Sequence, residues 1–469
     1  MEINMKNDKR KGSRNSTANR VILILAVVLV LLVVVLVICI FMNVKNKKTD
    51  SAPSAKQEVQ VSEEPSAEEA AREKEKLEQE RQAKIAECIA KADRLAAGYD
   101  YDKAIELVEA LEGYAQEDSC TEAIASYKKM KKKAVRYDKM TEIPHIFFHI
   151  LTIDTDKSFD GDDMSDKYNM VMTTEKEFRE IIKQMYEKGY VLIRIHDMVK
   201  EVKKDGKVRF EEGDIYLPKG KKPFVLSEDD VCYYEYMEGD GYAKRIVIGE
   251  DGKPTCEMVQ EDGSIKTGEY DIVPILESFI EEHPDFSYRG ARGILALTGY
   301  NGILGYRTDT VYKDNPTYKE DRKEAKRVAK VLRECGWEFA SHSWGHRDLG
   351  AISMSDFIKD TQKWEKRVEP LIGDTDILIY PFGADIGSWY PYEGERYEYL
   401  KKCGFHYFCN VDSARYWVQY GDDYLRQGRR NIDGQRMYYD MIDDSVDKLS
   451  DLFDVDTVFD KARPTPVPR

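Results

Sequence analysis

Two pairs of side chains in this sequence have the types and spacing needed for metal chemistry. Asp229 and Asp230 are adjacent, and His342 and His346 are four positions apart. On a helical turn this spacing places both imidazoles on one face, where they suit a divalent transition metal. Adjacent carboxylates are costly to keep ionised unless a cation lies near them. Together the pairs predict a metal held by two histidines and one aspartate, with the second aspartate free as a base.

Either pair alone has a simpler interpretation. Histidines reach this spacing by chance, and paired aspartates also occur in solvated acidic turns. A zincin protease has Glu directly after its first histidine, but Ser343 stands there, which excludes that protease class. The sequence contains no C-x-x-C motif, so a thiolate zinc site is unsupported.

Alternating strands and helices should position these pairs. Six apolar runs are predicted to form strands: 143–150, 223–226, 294–298, 337–341, 376–380 and 405–411. Segments with apolar residues at helical spacing lie between these strands and are predicted to be helices. A capping box from Thr174 to Glu177 begins one of these helices, and Gly336 ends another. This alternation predicts a parallel sheet, open or closed into a barrel. Each reactive pair follows a strand, and the carboxyl ends of barrel strands are where active sites assemble.

Four motifs, taken in order, resemble those of a known family. IPHIFFHI, VLSEDDV, ASHSWGH and YPFG look like the successive motifs of NodB-type polysaccharide deacetylases, the metal-dependent carbohydrate esterases. The resemblance covers roughly residues 140–435. It implies an α/β fold, an irregular (β/α)7 barrel, and removal of N-acetyl groups from a polysaccharide that contains N-acetylhexosamine. Zinc is the expected metal, while cobalt, nickel and iron also suit two histidines and an aspartate.

The resemblance also implies roles for individual residues. Asp229 would be the general base, and Asp230 would bind the metal together with His342 and His346. In YPFG, the backbone N–H of Phe382 would help to hold the oxyanion.

Residues beside these motifs are expected to contact the substrate. They are Tyr380, Pro381, Trp344 and Trp389. Flat aromatic rings can stack on pyranose rings, but aromatic loops also simply pack, and both interpretations stay open.

The sequence departs from the family pattern in VLSEDDV and in YPFG, which correspond to the family's first and third motifs. The family's first motif usually reads T-F-D-D, whereas S-E precedes the two aspartates here. The third often has Arg two residues before Pro, where this chain has Ile379. Arg429 or Arg430 is a candidate to orient Asp229 instead, and an ordinary surface or salt-bridging role is the other interpretation of both.

The general acid is left unassigned. The family's L-x-H motif near the C-terminus is absent, because His406 is the last histidine. His406 lies in an apolar strand, which favours a core or rim role. His145 and His149, on the first strand, are expected to be structural or to line the pocket. A catalytically weak carbohydrate-binding surface module on the same barrel is therefore the alternative to an active enzyme.

The N-terminal region predicts a membrane anchor. Residues 21–42 are 22 positions without a charge, about 33 Å of helix, which is enough to cross a bilayer. Six basic residues precede this span within 1–20, and three follow closely. The positive-inside rule predicts a single-pass protein of the cell membrane with a cytoplasmic tail and an extracellular remainder.

Three regions are predicted beyond this span. Residues 43–65 form a polar linker, and 66–137 form a helical spacer that looks like a single tetratricopeptide-like hairpin. A protein partner for this helical region is the less favoured interpretation. Residues 138–469 form the catalytic domain, with a hairpin insertion near 242–270.

Composition limits the function classes. The chain has 72 Lys and Arg against 87 Asp and Glu, a net charge of −15, which argues against nucleic acid as a partner. Its aromatic content of 11% is too high for a mostly disordered chain. The leading hypothesis is a membrane-anchored extracellular deacetylase acting on a cell-wall or surface polysaccharide.

Overall fold

A computed structural model describes most of the chain. The described residues are 67–412, 414–443 and 445–469. The chain divides into two units, 1–76 and 77–469, and of the first unit only the first turns of one helix are described. Among the described residues, no helix is both long and apolar enough to cross a membrane, and the predicted span 21–42 lies outside them.

The described helices, numbered in chain order, are α1 (Ala67–Ala97), α2 (Tyr101–Glu109), α3 (Asp118–Lys133), α4 (Thr155–Ser158), α5 (Ser165–Val171), α6 (Glu175–Glu187), α7 (Ile272–Glu282), α8 (Tyr318–Cys335), α9 (Met354–Arg367), α10 (Glu369–Ile372), α11 (Glu395–Cys403), α12 (Gly434–Ile442) and α13 (Val455–Val458). The described strands are β1 (Val135–Arg136), β2 (His145–His149), β3 (Tyr190–Leu192), β4 (Val199–Lys204), β5 (Lys207–Glu212), β6 (Tyr216–Leu217), β7 (Lys222–Asp229), β8 (Arg245–Ile248), β9 (Pro254–Val259), β10 (Ile265–Gly268), β11 (Ile294–Leu297), β12 (Glu338–Ser341), β13 (Ile377–Ile379), β14 (Tyr407–Val411), β15 (Trp417–Tyr420) and β16 (Leu425–Asn431).

Seven parallel strands close into a barrel. Their order around the barrel is β11, β12, β13, β14, β16, β2 and β7, and β7 pairs again with β11. Strand β3 extends the sheet beside β7, and β15 pairs antiparallel with β16. The sheet is therefore closed rather than open, which fits the predicted (β/α)7 architecture.

Six of the seven barrel strands lie within or across the six predicted runs. The seventh, β16, was not predicted, because its sequence LRQGRRN is polar. Its residues from Leu425 to Arg430 are nevertheless buried, since inward-facing Gln427 and Arg429 form hydrogen bonds inside the barrel. Apolar periodicity has no signal for a strand whose inward side chains are polar.

Local sequence signals account for the helices that cover the barrel. The Thr174 side chain accepts from the Glu177 N–H, and the Glu177 carboxylate accepts from the Thr174 N–H, so the predicted capping box at α6 is confirmed. Helix α8 buries Ala325, Val328, Ala329 and Leu332 and ends at Gly336, whose φ of 108° suits glycine. The predicted insertion region near 242–270 contains the antiparallel sheet β8–β9–β10.

The amino end of the barrel is covered by residues 193–217. The Tyr420 hydroxyl donates to the Met198 carbonyl, and the Phe210 N–H donates to the Asp422 carbonyl. Apolar side chains of this segment and of α1 to α3 share one buried cluster with the barrel interior. The carboxyl end of the barrel is where both reactive pairs lie.

Candidate metal centre

Asp230, His342 and His346 converge at the carboxyl end of the barrel. Asp230 directly follows β7, and His342 directly follows β12. The Nε2 atom of His346 lies 3.7 Å from Oδ2 of Asp230, and one ligand atom from each of the three residues lies within 4.8 Å of the others. Atoms that bind one zinc ion at about 2.0–2.2 Å are some 3–4 Å apart. The three side chains therefore form a candidate metal site.

The backbone at this site adopts left-handed conformations that L side chains rarely take. Asp230, Ser343, His346 and Phe382 have φ values of 59°, 56°, 49° and 59°. Each such residue costs about 1–2 kcal/mol. Strain of this kind concentrates at functional sites, where surrounding contacts hold it in place.

Asp360 holds the loop that carries the two histidines. Its carboxylate accepts from the backbone N–H of Trp344 at 2.8 Å and of Gly345 at 2.9 Å. Asp360 lies on α9, so this helix fixes the turn between the two imidazoles. Sequence reasoning missed Asp360, because nothing in its own neighbourhood points to the loop it binds.

His342 presents one defined nitrogen to the site. Its Nδ1 lies 2.9 Å from the Ile379 carbonyl oxygen, which can only accept, so Nδ1 carries the proton and Nε2 is left as the ligand atom. Burial lowers the pKa of His342 and favours the neutral ring. A neutral imidazole is the form that binds metal.

A tyrosine fixes the orientation of Asp230. The Tyr234 hydroxyl donates to Oδ1 of Asp230 at 2.7 Å, while Oδ2 points towards His346. The Tyr234 ring is stacked between those of Tyr236 and Tyr300. Tyr234 was not predicted from the sequence, although its place four residues after Asp230 was a usable signal.

Asp229 lies beside the ligands and is held by Arg429. Its Oδ1 accepts from Nη1 of Arg429 at 2.7 Å, and its Oδ2 is 4.0 Å from Nε2 of His342. Burial alone would raise the pKa of Asp229, but Arg429 and His342 bring it down to about 2. The carboxylate is therefore ionised at neutral pH and able to accept a proton.

The two candidate arginines have different partners. Arg429 faces the barrel interior and contacts Asp229. The next residue, Arg430, faces the opposite side of the strand and binds Asp451 at 2.7 and 3.0 Å. Of the two candidates, Arg429 therefore contacts Asp229, and Arg430 has the alternative salt-bridging role, because successive strand residues point to opposite faces.

The same alternation explains the departure in the first motif. Glu228 points outward from β7 and is fully buried beside Asp271. Burial, reinforced by the Asp271 charge, raises the pKa of Glu228 well above its ordinary value, which favours its neutral form. Glu228 therefore lies behind the metal site rather than in it.

Three of the five histidines outside the ligand set, those considered above from the sequence, have different surroundings. His145 is buried in the barrel, between Ser227 and Gln427. His406 lies at the amino end, next to the Asp423 carbonyl. His149 is paired in register with Asp229 on the neighbouring strand, and its Nδ1 lies 3.2 Å from the Val171 carbonyl oxygen. His149 is thus the one of these three that lies beside the site.

The predicted substrate-contacting residues are not all available to a ligand. Tyr380 is fully buried, and its hydroxyl bonds to that of Tyr392, so its side chain cannot contact a sugar. Pro381 is also buried. The Phe382 ring is 70% exposed and lies with its edge to His346, at a centroid distance of 4.4 Å.

The two tryptophans lie in separate environments. The Trp344 indole N–H donates to Asp309 at 3.0 Å, and the Lys363 ammonium lies 3.9 Å from its ring centroid. Trp344 is therefore engaged in packing. Trp389 is 62% exposed, and its ring centroid lies 4.5 Å from that of Trp417.

Comparisons with known proteins give one structural likeness to report. No protein-family model matches the sequence, and no curated protein matches it. The solved structure of a Streptococcus pyogenes deacetylase, PplD in complex with acetate, is similar over 65% of this chain and 95% of that chain. The TM-score is 0.36 and the identity is 12%, a likeness too distant to assign an activity. The assignment of function rests on the four motifs and on the geometry of the site.

Proposed function

We propose that this protein is a metal-dependent deacetylase that hydrolyses N-acetyl groups on an N-acetylhexosamine polysaccharide. The observation that carries the proposal is that the two adjacent aspartates have different surroundings. Asp230 joins His342 and His346 in a ligand triangle, while Asp229 stays outside it, ionised and held by Arg429. A solvated acidic turn would not require one aspartate to lie among two histidines and the other to be held by a buried arginine.

The residues present fit a divalent cation. They supply two imidazole nitrogens and one carboxylate oxygen at mutually compatible distances, and the hydrogen bond of His342 to Ile379 leaves its Nε2 free. This donor set suits zinc and several other transition metals. When bound, such a cation supplies Lewis-acid polarisation of the acetyl carbonyl and makes a water more acidic.

Asp229 is the proposed general base. Its ionised carboxylate takes the proton of the attacking water, and the Arg429 guanidinium keeps it oriented and charged. The Phe382 N–H is the proposed donor to the oxyanion, a role worth about 3–4 kcal/mol in comparable sites. Phe382 is in the left-handed conformation, in a turn closed by hydrogen bonds from Gly383 to Tyr380 and from Ala384 to Pro381.

His149 is the proposed proton donor for the leaving amine. It lies in register with Asp229, and its Nδ1–H is directed at the Val171 carbonyl. It would act in the doubly protonated form, giving the Nε2 proton to the leaving amine and becoming a neutral ring that keeps the Nδ1 proton. This choice replaces the C-terminal histidine that the sequence lacks.

The proposed setting is the outer surface of the cell membrane. Residues 21–42 are the proposed anchor, and the helical region before the barrel is the proposed spacer between the anchor and the barrel. A protein partner for the helical region is the alternative.

A carbohydrate-binding module with weak catalysis is the second candidate. The missing C-terminal histidine favours it, and exposed Trp389 and Tyr390 offer ring surface to a sugar. Acetate release from N-acetylglucosamine oligomers, measured with chelator and after addition of zinc, separates the two candidates. Metal-dependent acetate supports the deacetylase, whereas sugar binding without acetate contradicts it.

A further inference from the structure

A basic surface lies at the amino end of the barrel, opposite the metal centre. It consists of residues 128–139, at the end of α3, and residues 199–222, which contain β4, β5 and β6. These two segments hold 15 Lys and Arg but only six Asp and Glu, in a chain of net charge −15. We call this surface the basic face.

The two segments of the basic face are joined by hydrogen bonds. Strand β1 pairs with β6, with Val135 opposite Leu217 and Arg136 opposite Tyr216. The Asp214 carboxylate accepts from Arg136 at 3.1 Å and from Lys200 at 2.8 Å. The helix end and the β4–β5 hairpin therefore form one continuous surface.

Much of the positive charge on the basic face has no acidic partner. Seven exposed lysines form no side-chain hydrogen bond or ion pair with the described residues: Lys129, Lys132, Lys133, Lys203, Lys204, Lys207 and Lys219. Three of them surround the hairpin turn at Gly206. Because each ammonium is left to solvent, the face can bind several anionic groups without breaking an ion pair.

Exposed apolar side chains are interspersed among these lysines. Met130, Val135, Val208 and Tyr216 are all between 36% and 52% exposed. Val208 lies opposite Lys203 in the hairpin, and Met130 is next to Lys129. Covering such apolar surface with a partner is favourable, because it removes the surface from water.

We propose that the basic face binds the surface of a membrane that contains anionic lipids. The lysines contact headgroup phosphates, and exposed apolar side chains that share a face with basic residues, Val208 with Lys203 and Tyr216 with Arg136, enter the interfacial layer beside them. A soluble polyanion would satisfy the charges but leave the apolar side chains in water, so a lipid surface fits both observations. With the basic face on the membrane, the metal centre at the other end of the barrel faces away from it, towards a polymer outside.

The test uses the full chain reconstituted in lipid nanodiscs, so that the anchor holds the protein near both kinds of bilayer. Hydrogen exchange of peptide 199–212 is compared between neutral phosphatidylcholine discs and discs with about one-third phosphatidylglycerol. We expect exchange to slow by about fivefold in the anionic discs, and the effect to disappear in about 0.5 M NaCl because salt screens the charges. A peptide from α9, which none of the variants below alters, serves as the internal reference.

Charge-matched variants show whether the basic face is responsible. Lys203→Glu with Lys204→Glu and Lys207→Glu should abolish the slowing, whereas Lys323→Glu with Lys326→Glu and Lys330→Glu, on α8, should not. Lys129→Gln with Lys132→Gln and Lys133→Gln should weaken it and provides a second test should the hairpin variant fold poorly. Val208→Ser should reduce it while its salt dependence remains.

Three outcomes would overturn the proposal. The first is equal exchange in neutral and anionic discs, and the second is an equal loss in the hairpin and α8 variants. The third is slowing by soluble polyphosphate in neutral discs with none from anionic lipid, which would assign the face to a soluble polyanion instead.

Discussion

The two ends of the barrel each have a cluster of histidine and carboxylate, and the clusters differ in how closely their members approach. At the carboxyl end, His346 and Asp230 are 3.7 Å apart, and His342 and Asp229 are 4.0 Å apart. At the amino end, His196 is bonded directly to two acids. Its Nε2 is 2.9 Å from Asp376, and its Nδ1 contacts Glu338.

These distances set opposite charge states. Burial lowers the pKa of His342, and no acid is close enough to reverse this. Burial would also lower the pKa of His196, but hydrogen bonds to Asp376 and Glu338 raise it to about 10. His196 is therefore a cation with both nitrogens occupied, while the lowered pKa of His342 favours the neutral ring at the candidate metal site.

The residue types in a cluster therefore do not by themselves make it a metal site. Both clusters combine histidine with Asp or Glu, and strand β12 contributes to both, since Glu338 begins it and His342 follows its end. In a metal site the ligand atoms lie about 3–4 Å apart, far enough for the ion to fit between them, and each imidazole ring keeps one nitrogen free to bind it. His196 lacks both features, because its two nitrogens are hydrogen-bonded to the acids.

The largest expected effect is the loss of the metal. His346→Ala removes one of three ligands, so we expect zinc stoichiometry to fall from one towards zero and acetate release to drop by about 10⁴-fold. Metal analysis of the purified protein and an acetate assay measure these effects. His196→Gln is the matched control, and a loss of zinc in that variant would contradict the distinction between the two clusters.

The next effect separates the base from the ligands. Asp229→Asn keeps the shape of the side chain but removes its ability to take a proton, so we expect acetate release to fall by about 10³-fold. Zinc content should stay at the wild-type level, because Asp229 lies outside the ligand triangle. Full activity in this variant would refute the assignment of the base.

A smaller effect is expected where a neighbour only orients a ligand. Tyr234→Phe removes the hydrogen bond to Oδ1 of Asp230, so we expect zinc affinity to weaken by about tenfold. Activity at saturating zinc should recover to near wild type, as measured by titration of the metal-free protein. Tyr236→Phe, in the same stack, is the control and should bind zinc normally.

The smallest effect concerns stability and pH at the amino end. The pKa of His196 is about 10 in the folded protein, against an ordinary value of 6.5. The ion triad of His196, Glu338 and Asp376 therefore stabilises the fold fully below pH 6.5 and loses this stabilisation as the pH rises towards 10. The side chain is 39% exposed, so solvent screening limits the contribution to about 1 kcal/mol. Thermal unfolding of wild type and His196→Gln at pH 6 and pH 9 should give a difference that shrinks at pH 9. A constant difference would contradict the ion triad.

The sequence predicted those parts of the site that follow strands with clear apolar patterns. Asp229, Asp230 and His342 come directly at or after such strands, and His346 follows four residues later. Arg429 could not be separated from Arg430, because β16 is polar and its inward face cannot be read from hydrophobicity. Asp360 was missed because it binds a loop that belongs to a separate element, and Tyr234 was missed although it lies only four residues after Asp230. His149 was expected to be structural or to line the pocket, and it lies beside the site.

The alternation of strands and helices and the residues of the candidate metal site can be read from the sequence, because periodicity and spacing are local properties of the chain. The closure of the sheet, the contact of Arg429 rather than Arg430 with Asp229, and the opposite pKa shifts of His342 and His196 follow from the tertiary structure. These outcomes depend on distances of a few ångströms between residues up to 200 positions apart. Burial and Coulomb interactions change steeply over such distances, and no local pattern encodes them.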